Sequence, residues 1–151
     1  MKKIMFICTG NICRSAMAHG LMEKKVKELG LDIEVFSSGL YAEDGERATD
    51  YAISAMEEYG VDLKKHRATN TRKSKIREMD LILCATEVHK NMLLEIYPDI
   101  KDKIYTMKEY VGEQEKNIKD PWGYGLETYK KCANEIYNCV IKIIDKEKDI
   151  R

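Results

Sequence analysis

A single α/β domain in three layers, with a four-stranded parallel sheet and helices on both faces, is the fold this sequence predicts. Three observations carry it. Apolar runs of strand length alternate with helical stripes, the 151 residues are 44% hydrophobic, and a Gly/Asn-containing loop lies directly between the first strand and the first helix. A chain of this length buries roughly 70% of the surface its unfolded form exposes, so residues 1–151 make one domain without metal or disulfide staples.

Ile4 to Cys8, within Lys2 to Cys8, is too short an apolar run for a helix and too continuous for a half-exposed strand, so it reads as a buried strand. Ser15 to Leu29 then places Ala18, Leu21, Met22, Val26 and Leu29 on one helical stripe, stopped by Gly30. Ile33 to Ser37 is the second strand, and Arg47 to Tyr59 a helix with Ala48, Ala52, Ala55, Met56 and Tyr59 inward, closed by Gly60. Leu81 to Ala85 is the third strand; Thr86 caps a helix that runs through Ile96 and cannot pass Pro98. Ile104 to Met107 is the last strand. Val111 to Lys119 is the candidate mobile loop. From Leu126 a long amphipathic helix carries Tyr129, Cys132, Ala133, Ile136, Val140, Ile143 and Ile144, with a charged tail from Lys146 that is expected to fray. Strands alternating with helices favour a parallel sheet, with ligands at the carboxyl ends of its strands.

Charge and cysteine usage narrow the function. Lys plus Arg number 26, as do Asp plus Glu, so no excess charge supports a bulk grip on nucleic acid or an anionic membrane, and any anion site must be local. No stretch approaches the roughly 18 apolar residues of a membrane span. Met1-Lys2-Lys3 imitates the start of a signal peptide, but the apolar run that follows has five residues and then meets Thr9-Gly10-Asn11. The five cysteines, Cys8, Cys13, Cys84, Cys132 and Cys139, are odd in number and suit free thiols in the cytoplasm. Scattered His19, His66 and His89, with no Cys-x2-Cys pair, argue against zinc. The basic residues between Lys64 and Lys75 read as a solvated surface.

The chemistry concentrates in Cys8-Thr9-Gly10-Asn11-Ile12-Cys13-Arg14-Ser15, between the first strand and first helix. Cys-x5-Arg spacing alone is weak evidence; its context makes it specific. Gly10 and Asn11 tolerate unusual backbone angles, so the loop can curl its amide N–H groups around one centre and bind an oxyanion. The helix beginning near Ser15 adds its positive end, and Arg14 offers a planar fork to two phosphate oxygens. That field favours the thiolate of Cys8 over the thiol, whose unperturbed pKa is about 8.5. A nucleophile beneath a phosphate cradle suggests a cysteinyl-phosphate intermediate. Asp120, stiffened by Pro121, supplies the acid that such an attack needs on the far side, and the same carboxylate can then act as base toward water. Ser15 can hydrogen-bond the Cys8 sulfur and also cap the helix.

These residues resemble the signature loop of the low-molecular-weight protein tyrosine phosphatases, and the likeness covers nearly the whole chain. It implies a protein phosphatase acting on a phosphorylated protein or peptide, with Cys8 as nucleophile, Arg14 as phosphate ligand and Asp120 as general acid. It further implies Thr9, Gly10, Asn11, Ile12, Cys13, Arg14 and Ser15 as the phosphate-binding loop, Ser37 and His66 as residues that pin Asn11, and a four-stranded parallel sheet. Cys13 matches a second loop cysteine that forms a protective disulfide with the nucleophile; a small buried core thiol is the alternative. No cofactor is implied, since Arg14, the amides and the helix end supply the positive field. A monomer is expected, with a weak dimer as the alternative.

Substrate choice divides two branches. Ile12 resembles the phosphotyrosine branch, whereas Asp102 to Val111 and Asp120-Pro121-Trp122-Gly123 look more like bacterial protein-arginine phosphatases, whose loop has Thr at the Ile12 position. Ile12 tips the reading to phosphotyrosine, with Leu40, Tyr41, Trp122 and Tyr124 as candidates for the rest of an apolar aryl slot. Thr86 departs from the acidic residue common after the third strand. Two further classes are weighed. An arsenate reductase needs relay cysteines, but the related enzymes place them after the third strand, and Cys132 and Cys139 fall on the last helix. A phosphoprotein-binding module without turnover would not need Cys8, Arg14 and Asp120 together.

Overall fold

The computed structural model describes residues 1–149, so the last two positions of the expected domain and of its charged tail lie outside the described residues. In chain order the elements are β1 (Lys2–Cys8), α1 (Arg14–Leu29), β2 (Ile33–Gly39), α2 (Asp50–Glu57), β3 (Leu81–Cys84), α3 (Glu87–Ile96), β4 (Ile104–Thr106), α4 (Met107–Tyr110) and α5 (Leu126–Asp149). All strand pairs are parallel, in the order β2-β1-β3-β4.

The pleat of β1 divides the core into two layers. Ile4 and Phe6 face one cluster, built with residues of α1, α2 and α5; Met5 and Ile7 face the other, built with Leu93 of α3 and with Ile76, Tyr97 and Ile100. A strand buried on both faces explains why its sequence is continuously apolar rather than alternating. From β1 the chain adds β2 on one side and then crosses to β3 on the other. The strand order therefore reverses beside the carboxyl end of β1, where open parallel sheets bind ligands.

Several boundaries differ from expectation for local reasons. The second helix starts at Asp50 rather than Arg47, because the Thr49 hydroxyl accepts from the Ala52 amide and caps it, while Arg47 bridges to Arg67. β4 stops at Thr106, since Thr106 and Glu109 form a reciprocal capping box that starts α4, an element the apolar pattern did not announce. No described helix is long and apolar enough to cross a membrane.

The fraying expected from Lys146 is overturned through Asp149, as α5 remains helical there. The cause is Glu147, a buried carboxylate that accepts from Lys2 Nζ and from Tyr110 Oη, both at 2.6 Å. It fastens the last helix to the first strand and to α4. Removing it strands an ammonium and a phenol together. Glu147→Ala is expected to cost about 2 kcal/mol in urea unfolding, below the range for a fully buried pair because Lys2 is part-exposed, and Glu147→Gln about half as much.

Candidate active site

Between β1 and α1 the chain makes a five-residue loop, Thr9 to Cys13, whose shape follows from where its carbonyls go. Cys8 O accepts from Leu40 N, Thr9 O from Tyr41 N, Ile12 O from Thr49 N and Cys13 O from Met17 N, at 2.9–3.0 Å. Asn11 O accepts from His66 Nε2 at 2.7 Å. Every described peptide is trans, and in a planar trans peptide N–H points opposite to C=O. Tying five carbonyls outward therefore turns the amides of Thr9, Gly10, Ile12, Cys13 and Arg14 inward, which makes an anion nest.

Asn11 is the hinge of this curl. It has φ +58°, the only positive value at a non-glycine among the described residues. Its side chain is fully buried, accepting from Thr69 N at 3.0 Å and donating to Ser15 Oγ at 2.8 Å. Gly39, at the end of β2, lets the loop lie close: a Cβ there would meet Thr9 O at 2.6 Å and Asn11 N at 2.8 Å.

Cys8 Sγ sits at the floor, with the residue 2% exposed. Ser15 Oγ is 2.9 Å from it, and Ser15 N donates to it at 3.4 Å. Ser15 does not cap α1 as expected, because the helix begins one residue earlier at Arg14 and its cap residue, Cys13, makes no side-chain capping bond. Arg14 is 5% exposed. Its Nη1 donates to Ile118 O at 2.9 Å and its Nη2 lies 3.5 Å from Asp120 Oδ2, while Nε is buried with no partner. An unpartnered buried guanidinium donor is costly unless an acceptor arrives, and an oxyanion is the acceptor this cavity suits. Asp120 is half-exposed, with Oδ1 accepting from Trp122 N at 3.1 Å.

These groups share a cavity of about 250 Å³ lined by Cys8, Thr9, Gly10, Ile12, Cys13, Arg14, Asp120 and Trp122. A depression of about 610 Å³ behind the loop, walled by His19, Lys24 and His66, is lined by no cysteine, so size does not pick the site. No group of three or more His, Cys, Asp or Glu among the described residues could hold a metal ion.

Other expected positions lie elsewhere. Ser37 does not reach Asn11; its hydroxyl is 2.7 Å from His19 Nδ1, and His19 meets the His66 ring edge-on at 6.2 Å. Only Ile12 and Trp122 of the five aryl-slot candidates line the cavity. Leu40, in the turn just after β2, packs against the second core, Tyr41 is exposed outside the cavity, and Tyr124 is exposed beneath Lys119 Nζ, 5.9 Å from its ring centre. Cys13 Sγ lies 3.3 Å from Tyr129 Oη, and burial pushes its thiol up. Burial likewise raises Cys84, and pushes Cys132 and Cys139 up to about 12, so these three are core thiols.

His89, absent from the sequence-based site, proves to be a buried neighbour of the loop. Its Nε2 lies 2.8 Å from Thr9 Oγ1 and its Nδ1 2.8 Å from Thr86 Oγ1. Burial, and then the Arg14 guanidinium, push its pKa down to about 4, against an opposing pull from Asp120. Burial also lowers His66. Both rings are therefore neutral in the fold where the unfolded chain protonates near pH 6.5. Stability is present above that pH and falls as acid protonates the unfolded state first, until the folded ring also titrates. The His89 share of this loss is expected to reach about 2 kcal/mol by pH 5, seen as a shallower pH dependence of urea stability in His89→Gln between pH 7 and 5.

Comparison with known proteins now gives the geometry its relatives. The family described as low molecular weight phosphotyrosine protein phosphatase matches residues 3–149. A protein-arginine-phosphatase of Geobacillus stearothermophilus is 34% identical over 144 residues, 95% of each chain. A low molecular weight protein-tyrosine-phosphatase of Staphylococcus haemolyticus is 32% identical over 141 residues, covering 93% of this chain and 96% of that one. The crystal structure of a low molecular weight protein tyrosine phosphatase from T. tengcongensis superposes with a TM-score of 0.92 at 41% identity, over 97% of this chain and 99% of that one. By sequence and by fold, the chain belongs to the low molecular weight phosphotyrosine protein phosphatase family.

Proposed function

We propose that this chain hydrolyses phosphotyrosine in proteins or peptides, and aryl phosphomonoesters generally, through a cysteinyl-phosphate intermediate. The observation that carries the reading is a buried sulfur, a buried guanidinium with an unused donor, and a carboxylate, all on one 250 Å³ cavity. Cys8, Arg14 and Asp120 are the catalytic residues. Phosphate oxygens take the inward amides of the Thr9–Arg14 loop and the Arg14 fork. The Cys8 thiolate, stabilised by the Ser15 donors, attacks phosphorus; the S–P bond forms as the P–O bond to the ring breaks. Asp120 gives its proton to the departing phenolic oxygen. It then takes a proton from the water that attacks phosphorus, the S–P bond breaks, and phosphate leaves with the thiolate restored. His66 holds Asn11 and so the loop. No cofactor takes part, and the setting is the cytoplasm, with the protein a monomer.

Ile12 and Trp122 support an aryl substrate, since both offer apolar surface beside the phosphate site. A second reading, hydrolysis of phosphoarginine by the same steps with Asp120 protonating nitrogen, is favoured by the likeness to the Geobacillus enzyme. Within the phosphate loop, the side chain at Ile12 bears on the choice. Ile12 fills space against an aryl ring, whereas a hydroxyl there would serve the smaller, polar guanidinium.

Parallel turnover on phosphotyrosine, phosphoarginine and phosphoserine peptides tests the choice. Phosphotyrosine is expected to be cleaved best, with Ile12→Thr raising phosphoarginine turnover at its expense; a wild-type preference for phosphoarginine would select the second reading. Cys8→Ser should abolish turnover while retaining phosphate binding, and Asp120→Asn should lower kcat by about a hundredfold or more. Binding of phosphopeptide by the wild type without phosphate release would remove the enzyme altogether.

A further inference from the structure

Three side chains from two distant parts of the sequence form a chain of hydrogen-bonding groups that ends at the cavity. Thr86 Oγ1 lies 2.8 Å from His89 Nδ1, and His89 Nε2 lies 2.8 Å from Thr9 Oγ1. Thr9 lines the cavity with Cys8, Arg14 and Asp120, while His89 is 6% exposed and so is held on both sides by hydroxyls rather than by water.

The direction of the chain follows from donor and acceptor counts. Thr86 caps α3, and its Oγ1 already accepts from the His89 amide at 3.3 Å. Its own proton then needs an acceptor, and Nδ1 of the same histidine is in reach. A neutral imidazole has one donor and one acceptor, and burial and Arg14 hold this ring neutral. With Nδ1 accepting, Nε2 carries the proton and donates to Thr9 Oγ1. The Thr9 hydroxyl, its oxygen thus occupied, has its proton free for the cavity.

We propose that His89, oriented by Thr86, is a positioning residue that fixes the Thr9 hydroxyl as a hydrogen-bond donor to an oxygen of the phosphate group held above Cys8. This rests on the phosphatase reading and adds to it one donor from a side chain, beside the backbone amides and Arg14. It also gives Thr86 a role. The relay needs a hydroxyl that can both accept and donate at that position, which a carboxylate cannot do while ionised.

The test combines a spectroscopic and a kinetic readout on the full chain. In ¹⁵N NMR of the free protein at pH 7, His89 should be the Nε2–H tautomer; the Nδ1–H tautomer would overturn the proposal. Thr9→Val and His89→Leu should each lower kcat on an aryl phosphate by about tenfold or more, with KM changed less than twofold, as expected for a hydrogen bond to a charged group that strengthens when charge develops. The double variant should be no slower than the worse single one, and Thr9→Ser and His89→Gln, which retain a donor, should recover most of the loss. Wild-type kcat in Thr9→Val, a loss confined to KM, or additive effects in the double variant would each refute it. Should His89→Leu fail to fold, Thr9→Val and the tautomer decide. Vanadate, which mimics the transferring phosphoryl group, should bind about tenfold more weakly to Thr9→Val, and unchanged affinity would again refute the relay. Tautomer and vanadate affinity are read without turnover. A wild type inactive on every phosphoester would therefore count against the phosphatase reading, and those two measurements would still decide the relay.

Discussion

The site depends on five carbonyls being held away from it. A loop of amides collects an anion only if its peptide planes are turned, and a planar peptide turned at one end is turned at the other. Here the turning is distributed over the molecule: the two residues that follow β2 supply Leu40 N and Tyr41 N, the start of α2 supplies Thr49 N, and His66 reaches in from the segment after α2. Each is a neutral donor bound to a carbonyl. Together they leave a set of N–H dipoles that no protein rearrangement is needed to assemble when the anion arrives, which is the preorganisation that makes electrostatic stabilisation effective.

Arg14 extends that frame to the opposite wall. It is the first residue of α1, so the chain that makes the nest also fixes the guanidinium beside it. Its bond to Ile118 O and its approach to Asp120 join the loop to a segment more than 100 residues later in the chain, and Ile118 N is itself tied to Ala85 O just past β3. One side chain thus sets the distance between the phosphate cradle and the carboxylate that faces it. A lysine would carry the same charge but could not bond two partners in a fixed plane and retain a third donor in that plane.

The sequence made the sheet and the loop readable and the supports unreadable, and the difference is one of range. Strand β1 and the stripe of α1 are local patterns, and the Cys8–Ser15 motif is contiguous. Family resemblance pairs His66 with Asn11, and His66 Nε2 lies 2.7 Å from Asn11 O. Ser37, assigned the same task, bonds His19 instead, because two residues on neighbouring elements must also agree in side-chain direction. Leu40 and Tyr41 lie outside the slot for a related reason: what the loop uses from them is the backbone N–H, while Leu40 turns into the second core and Tyr41 to the surface. His89 shows the opposite case. Thr86 was legible as a cap, and the ring three residues on follows from helix geometry, but its second partner is 80 residues away and nothing local indicates it.

Local rules are broken at this site more than elsewhere, and the violations point one way. Asn11 occupies a backbone region that costs roughly 1–2 kcal/mol for most L-residues, Arg14 buries an unsatisfied donor worth about 1–3 kcal/mol, and His89 is kept neutral next to a cation. Each is unfavourable taken alone. A bound oxyanion would relieve the second directly and would use the inward amides that the first makes available. The rest of the fold, with its two continuous cores, supplies the stability that permits this. A surface cysteine beside a chance arginine would show none of these compensating strains, whereas a cradle built for a phosphate group must accept them before its ligand arrives.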